Sequence, residues 1–275
     1  MEKLIRLILR NIRYQTYRIL DKFPPYITHR LYLGWNLFYI KGPGVVDRIR
    51  FLSPKPIYEK SLCVDIITQL ENKPNPVFID IGANIGLISL YIARNVANAQ
   101  TYALEPGLLQ RSLFGLTITK NKLAEKIQLF PYAVSNTESL TTFITFENDV
   151  DGIADGLVNT GRVSEKSIPI PVETISLDSF ILRYKINQVD VIKIDIEGGE
   201  LQAFEGAKNT LKNHKPVVYF ELNPLNLKNY QHTAEETILF LKELGYKIYN
   251  LQKVECTLEN LHSLMQQDDT FVAIP

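Results

Sequence analysis

The ten residues Val77 to Gly86, VFIDIGANIG, constrain this chain more than any other stretch. Val77, Phe78, Ile79 and Ile81 form a short β-branched and aromatic run, which predicts a strand buried on both faces. Asp80 stands near its end. Gly82 and Gly86 then bracket Ala83, Asn84 and Ile85, where a tight turn brings the backbone close to a ligand. Leu87, Ile88, Leu90, Tyr91 and Ile92 carry the apolar face of a following helix. Strand, glycine turn and helix together predict a cofactor pocket, with a branched side chain at Gly82 expected to enter ligand space.

The spacing narrows the cofactor. A dinucleotide site uses Gly-x-Gly-x-x-Gly to set a helix N-terminus against a pyrophosphate. Here the pattern is Asp-x-Gly-x-x-x-Gly, and the carboxylate of Asp80 beside the turn repels phosphate. It suits a cationic ligand such as S-adenosylmethionine, which carries a sulfonium and an amino group and no phosphate. Thr101 to Leu104 read as a second strand running into Glu105-Pro106, and a carboxylate at that strand end can accept both hydroxyls of a ribose. The cofactor-binding set expected from these stretches is Asp80, Gly82, Asn84, Gly86 and Glu105.

At 275 residues the chain holds one large α/β domain plus an extension. Its formal net charge is zero, so no global field recruits nucleic acid, and no nucleic-acid partner is expected. Residues 1 to 50 nevertheless hold ten Lys/Arg against three Asp/Glu, a local +7. Cys63 and Cys256 have neither a metal-ligand spacing nor the density of a disulfide framework, which predicts a reducing, cytoplasmic setting. Lys3, Arg6, Arg10 and Arg13 recur at helical intervals opposite Ile5, Ile8, Leu9 and Ile12. This basic amphipathic stretch, residues 1–20, suits an anionic membrane surface, a berth on the core, or a second subunit in an oligomer. The apolar run from Leu31 to Ile40 reaches only half of the roughly 20 residues that a membrane span needs. With its Pro and Gly breaks, residues 1–57 read as a helical N-terminal extension and 58–275 as the catalytic domain.

Alternating elements continue along the domain. Leu62, Ile66, Ile67 and Leu70 predict a helix, Leu108 to Ile118 another, and Ile127 to Val134 a third strand. Leu140 to Phe146 and Ile168 to Ile175 predict strands on either side of an acidic loop, residues 147–156, read as a lid over the pocket or a plain surface hairpin. Val191 to Ile196 predict a fourth strand that delivers Asp195 and Glu197 to its end, and Pro216 to Phe220 a fifth that ends at Glu221. Ligands in open α/β sheets sit outside the carboxyl ends of strands, so these acids fall beside the cofactor. Either one of them takes a proton as general base, or two hold a divalent cation, although no metal spacing supports a bound ion. His232, on a loop after the fifth strand, is the further candidate base. The candidate catalytic residues are therefore Glu197, Asp195 and His232, with Glu221 placed against the acceptor. Capping a helix, or pairing with Lys193 or Lys215, is the plainer account of any one carboxylate. Thr233 to Glu236 form a capping box, and Tyr246 to Leu251 with Thr270 to Ile274 predict a closing hairpin.

From about Tyr58 to the C-terminus the sequence resembles the FkbM family of S-adenosylmethionine-dependent methyltransferases. The pieces that carry the resemblance are Phe78 to Gly86, Glu105-Pro106, Val134-Ser135, Leu177-Asp178, Lys193 to Glu200, and Glu221. The resemblance implies a class I methyltransferase fold, a Rossmann-like seven-stranded sheet with the last hairpin antiparallel. It also implies O-methylation of a sugar, glycan or other hydroxylated metabolite. An NAD-type oxidoreductase is disfavoured by the missing third glycine and by Asp80, and a non-catalytic cofactor-binding protein is the remaining alternative.

Overall fold

The computed structural model describes residues 27–32, 35–40, 59–146, 156–157 and 167–275. The basic stretch 1–20 and most of the acidic loop 147–156, with the helix and the lid expected there, lie outside them. The extension is helical in expectation, whereas its described part is an antiparallel β-hairpin, β1 (Ile27–Tyr32) paired with β2 (Trp35–Ile40). The apolar run is thus strand-forming, and its aromatic and β-branched content explains why.

A seven-stranded sheet organises the domain. Its strands are β3 (Val77–Ile81), β4 (Gln100–Leu104), β5 (Ile127–Phe130), β9 (Val191–Ile194), β10 (Val217–Glu221), β11 (Lys247–Asn250) and β12 (Thr270–Ile274). Their order is β11-β12-β10-β9-β3-β4-β5. Strands β5, β4, β3, β9 and β10 are mutually parallel, and β12 runs antiparallel to both β10 and β11. This is the class I arrangement. One face packs α1 (Lys60–Leu70) and α2 (Leu87–Asn95) over Phe78, Val191, Tyr219 and Val272. The opposite face buries Ile79, Ile81, Ile192, Ile194 and Phe220 beneath α4 (Leu177–Arg183), α5 (Glu200–Glu205), α6 (Lys208–His214) and α8 (Ala234–Glu243). Helix α3 (Leu108–Lys120) covers β4 and β5 beside α2. Successive side chains of a strand alternate faces, so a strand buried on both sides has to be apolar throughout, as β3 and β9 nearly are.

Two expected elements divide. The single strand expected over Ile127 to Val134 breaks at Pro131, which has no N–H for the ladder. Its second half, β6 (Tyr132–Val134), joins β7 (Ser139–Phe146) and β8 (Ser167–Ile175) in a separate three-stranded sheet. Leu201, Phe204, Ala207 and Leu211 carry the spacing of one helix, yet the chain forms two, α5 and α6, parted at Gly206. Asp178 fixes that break: its carboxylate accepts the N–H groups of Asn209 and Thr210 at 2.9 and 2.7 Å and the Thr210 hydroxyl at 2.7 Å. Replacing Asp178 with alanine leaves those donors unmet, at a cost of about 2 kcal/mol and a thermal midpoint roughly 4–8 °C lower. Thermal unfolding followed by circular dichroism checks this, and an unchanged midpoint would show that water replaces the cap.

The hairpin β1–β2 meets the domain at the end of α3. Asn36 and Asn121 clasp each other, the Asn36 N–H donating to Asn121 Oδ1 and the Asn121 amide donating to the Asn36 carbonyl, each at 2.6 Å. The capping box expected at Thr233 to Glu236 opens α8.

Candidate active site

Strand order reverses between β3 and β9, which makes the carboxyl ends of those two strands the topological switch point. The turn after β3 and the turn after β9 face each other there. Gly82, at φ +73°, lies so close to the second turn that an added Cβ would stand 1.9 Å from the Asp195 carbonyl oxygen. Its missing side chain therefore makes room for protein backbone and not, as expected from the sequence, for ligand. Gly86, at φ +85°, opens α2 where a Cβ would meet the Phe114 ring at 2.1 Å.

Buried carboxylates hold these turns from within. Glu105, 7% exposed at the end of β4, accepts the Asn84 N–H and the Gly107 N–H, both at 2.7 Å, one on each oxygen. It thereby ties the turn after β3 to the turn after β4. Burial pushes its pKa up to about 7, against the pull of the two backbone donors. Glu200, 1% exposed, does the same for the turn after β9, accepting the N–H groups of Ile196 and Gly198 at 3.1 and 3.3 Å. Burial raises its pKa to about 7 as well.

The turn that Glu200 shapes presents Asp195 and Glu197 outward, with Glu197 in the left-handed region at φ 60°. Backbone strain of this kind at a non-glycine residue costs about 1–3 kcal/mol and is retained where surrounding contacts enforce it. Here Asn226, from α7 (Pro224–Leu227), donates to Glu197 Oε2 at 2.6 Å. Carboxylate oxygens of Asp195, Glu197 and Glu221 all lie within 4.8 Å of one another. Like charges that close oppose one another's ionisation. Glu221 responds most: burial first, then the neighbouring carboxylates of Asp195, Glu197, Glu200 and Asp269, hold its pKa far above the usual range. Its buried Oε2 has no hydrogen-bond partner among the described residues. A shared proton, a donor on a substrate or a divalent cation each suits such a group.

Residues 80–248, more than half of the chain, match the model of the methyltransferase FkbM domain. The chain belongs to the FkbM methyltransferase family. It is 27% identical over 183 residues to the 2-O-methyltransferase NoeI of Sinorhizobium fredii, a match spanning 63% of this chain and 73% of that one. It is 22% identical over 189 residues to the methyltransferase sdnD of Sordaria araneosa, covering 58% of this chain and 73% of the other. A solved FkbM methyltransferase from Methylobacillus flagellatus is similar at 18% identity and a TM-score of 0.45, covering 73% of this chain and only 43% of that one.

The site residues expected from the sequence have distinct places in the structure. Asp80 lies beneath the glycine turn, 1% exposed, accepting the Ser89 hydroxyl at 2.6 Å and facing Lys193 at 3.7 Å. Gly82, Asn84, Gly86 and Glu105 form the walls of the first two turns. Asp195, Glu197 and Glu221 come together opposite them. His232 stands just past the 3-10 turn Lys228–Tyr230, outside that carboxylate group, with its Nε2 buried and without a hydrogen-bond partner among the described residues. Lys193, Glu200 and Asn226 are the residues that sequence reading passed over as functional. The signal for Glu200 was present, since it closes the same DIEGGE run that supplied Asp195 and Glu197. Among the described residues, no helix is long and apolar enough to cross a membrane.

Proposed function

We propose that the chain transfers a methyl group from S-adenosylmethionine to a hydroxyl of a sugar, glycan or other hydroxylated metabolite. The observation that carries this reading is a topological switch point with carboxylates at the strand ends on both sides of it, Glu105 after β4 and Asp195, Glu197 and Glu221 at the ends of β9 and β10. The residues fit that cofactor. Each Glu105 oxygen accepts one backbone N–H and keeps a second lone pair, as a ribose diol requires. The nearest cations among the described residues are committed elsewhere: Arg111 donates to the Glu105 and Pro106 carbonyls, and Lys193 lies beneath the turn. A pyrophosphate would meet acids, whereas a sulfonium and an ammonium would be stabilised by them. The name of NoeI, a 2-O-methyltransferase, supports oxygen as the acceptor atom.

Bound S-adenosylmethionine supplies an electrophilic methyl. The protein then has to hold an acceptor oxygen in line with it and remove a proton, and positioning carries much of such catalysis. Glu221, its pKa raised, holds a proton near neutral pH and acts as a donor to the acceptor. Asp195 faces Lys193 at 3.2 Å and is anchored to the wall. Glu197, aimed by Asn226 and by its own strained backbone, is the base in this reading.

The cofactor half is tested with the demethylated product, S-adenosylhomocysteine, and the acceptor half with methyl release on a panel of glycans. Ribose hydroxyls donating to Glu105 favour its ionised form, whereas the empty site holds that carboxyl near a pKa of about 7. Binding is therefore expected to release a proton below pH 7, and affinity to rise from pH 5.5 to 7.5 and then level off. Calorimetry in two buffers of different ionisation enthalpy reads the proton directly. Replacing Glu105 with glutamine should remove the pH dependence and weaken binding by about 1.5–3 kcal/mol, the worth of a charge-assisted hydrogen bond. A wild-type affinity flat across that range would place the ribose elsewhere.

A further inference from the structure

We propose that Lys193 is a positioning residue that locks the cofactor turn to the acid wall, a role that rests on the cofactor reading above. Lys193 lies in the middle of β9, 5% exposed, and is the buried lysine among the described residues. Its ammonium has three N–H donors and three oxygens around it. Nζ is 3.1 Å from the Gly82 carbonyl, 3.2 Å from Asp195 Oδ2 and 3.7 Å from Asp80 Oδ1. Neutralising Asp80, its register partner on β3, accounts for only the longest of these. Asp80 also has a donor of its own in Ser89, whereas the two shorter contacts join the first residue of the glycine turn to the first acid of the opposite turn. Asp195 is also the more exposed of the two carboxylates, 36% against 1% for Asp80, so the ammonium joins a buried carboxylate to a partly exposed one. A shift of the glycine turn on cofactor binding moves the Gly82 carbonyl, and the ammonium passes that displacement to Asp195.

Three variants separate positioning from simple charge balance. Lys193→Met alone strands the buried Asp80 carboxylate and is expected to lose stability, and Asp80→Asn alone leaves the ammonium only one carboxylate. The double variant Lys193→Met, Asp80→Asn removes one buried cation and one buried anion together. If Lys193 served only Asp80, the double variant would recover the thermal midpoint and bind S-adenosylhomocysteine as tightly as Asp80→Asn alone, which carries any loss that Asp80 itself causes. Positioning predicts a recovered midpoint with calorimetric affinity still at least tenfold below that of Asp80→Asn. A double variant that binds within threefold of Asp80→Asn overturns the role of Lys193 and leaves the cofactor reading intact, whereas a wild type that binds no S-adenosylhomocysteine overturns both. A second readout needs no variant to fold. The protected Lys193 ammonium is followed by ¹⁵N side-chain spectroscopy in the wild-type protein, and its signal is expected to move on saturation with S-adenosylhomocysteine. A resonance unmoved at saturation also overturns the coupling.

Discussion

Replacing Gly82 with alanine is expected to abolish S-adenosylhomocysteine binding and to lower the thermal midpoint by roughly 10 °C. Two costs act together. The residue sits at φ +73°, where an L side chain is strained, and its new Cβ would press on the Asp195 carbonyl oxygen at 1.9 Å. Left-handed strain costs about 1–3 kcal/mol and overpacking a further 1–3. For a domain of this size each kcal/mol lowers the midpoint by about 2–4 °C. The neighbour is backbone at the end of a central strand, so it cannot turn aside as a side chain would. The Gly82 N–H and the Ala83 N–H both donate to the Leu104 carbonyl, at 3.0 and 3.1 Å, so displacing the turn disturbs β4 as well. Differential scanning and calorimetric titration of the same preparation measure both effects. A variant with wild-type midpoint and affinity would mean that the two turns are not held against each other.

Glu197→Gln is expected to cut turnover by about 10²–10⁴ while S-adenosylhomocysteine affinity stays within threefold, the range usual for loss of a general base. Glutamine keeps the shape of the side chain and an oxygen for the Asn226 amide, which donates to Glu197 Oε2 at 2.6 Å. What it lacks is a second anionic oxygen to take a proton or bind a cation. The measurement uses whichever panel glycan accepts a methyl from the wild-type protein, at saturating cofactor. Added Mg²⁺ or Mn²⁺ that restores the rate identifies a cation held by the cluster, and a loss that no metal repairs identifies direct proton removal. Full turnover in the variant rejects Glu197 in both roles.

Local pattern exposed most of the sheet, because each central strand is an apolar run closed by an acid or a glycine. What it missed lies where neighbours distant in sequence decide. Ile127 to Val134 is continuously compatible with a strand, and only the absent N–H of Pro131 signals that the chain changes sheets. Asp80 reads as a carboxylate beside a turn, but its depth follows from pairing with Lys193 across β3 and β9, a register no local window contains. Glu105 was legible as a strand-end acid. That it spends one lone pair of each oxygen on backbone N–H groups of two different turns was not. Asn226 carries no motif at all and becomes relevant only because α7 returns over the Glu197 turn.

The placement of β12 bears on how such a chain is made. It follows every other strand in sequence yet lies inside the sheet, between β10 and β11, and among the described residues β11 has no other strand neighbour. On the ribosome β11 emerges first, and although one edge bonds locally to Val254 and Cys256, the edge that β12 fills stays open until β12 has cleared the exit tunnel. The carboxyl end of β10, where Glu221 stands, likewise lacks one flank until then. Nascent chains with open strand edges are prone to pair with one another, so this is the interval in which a chaperone matters most.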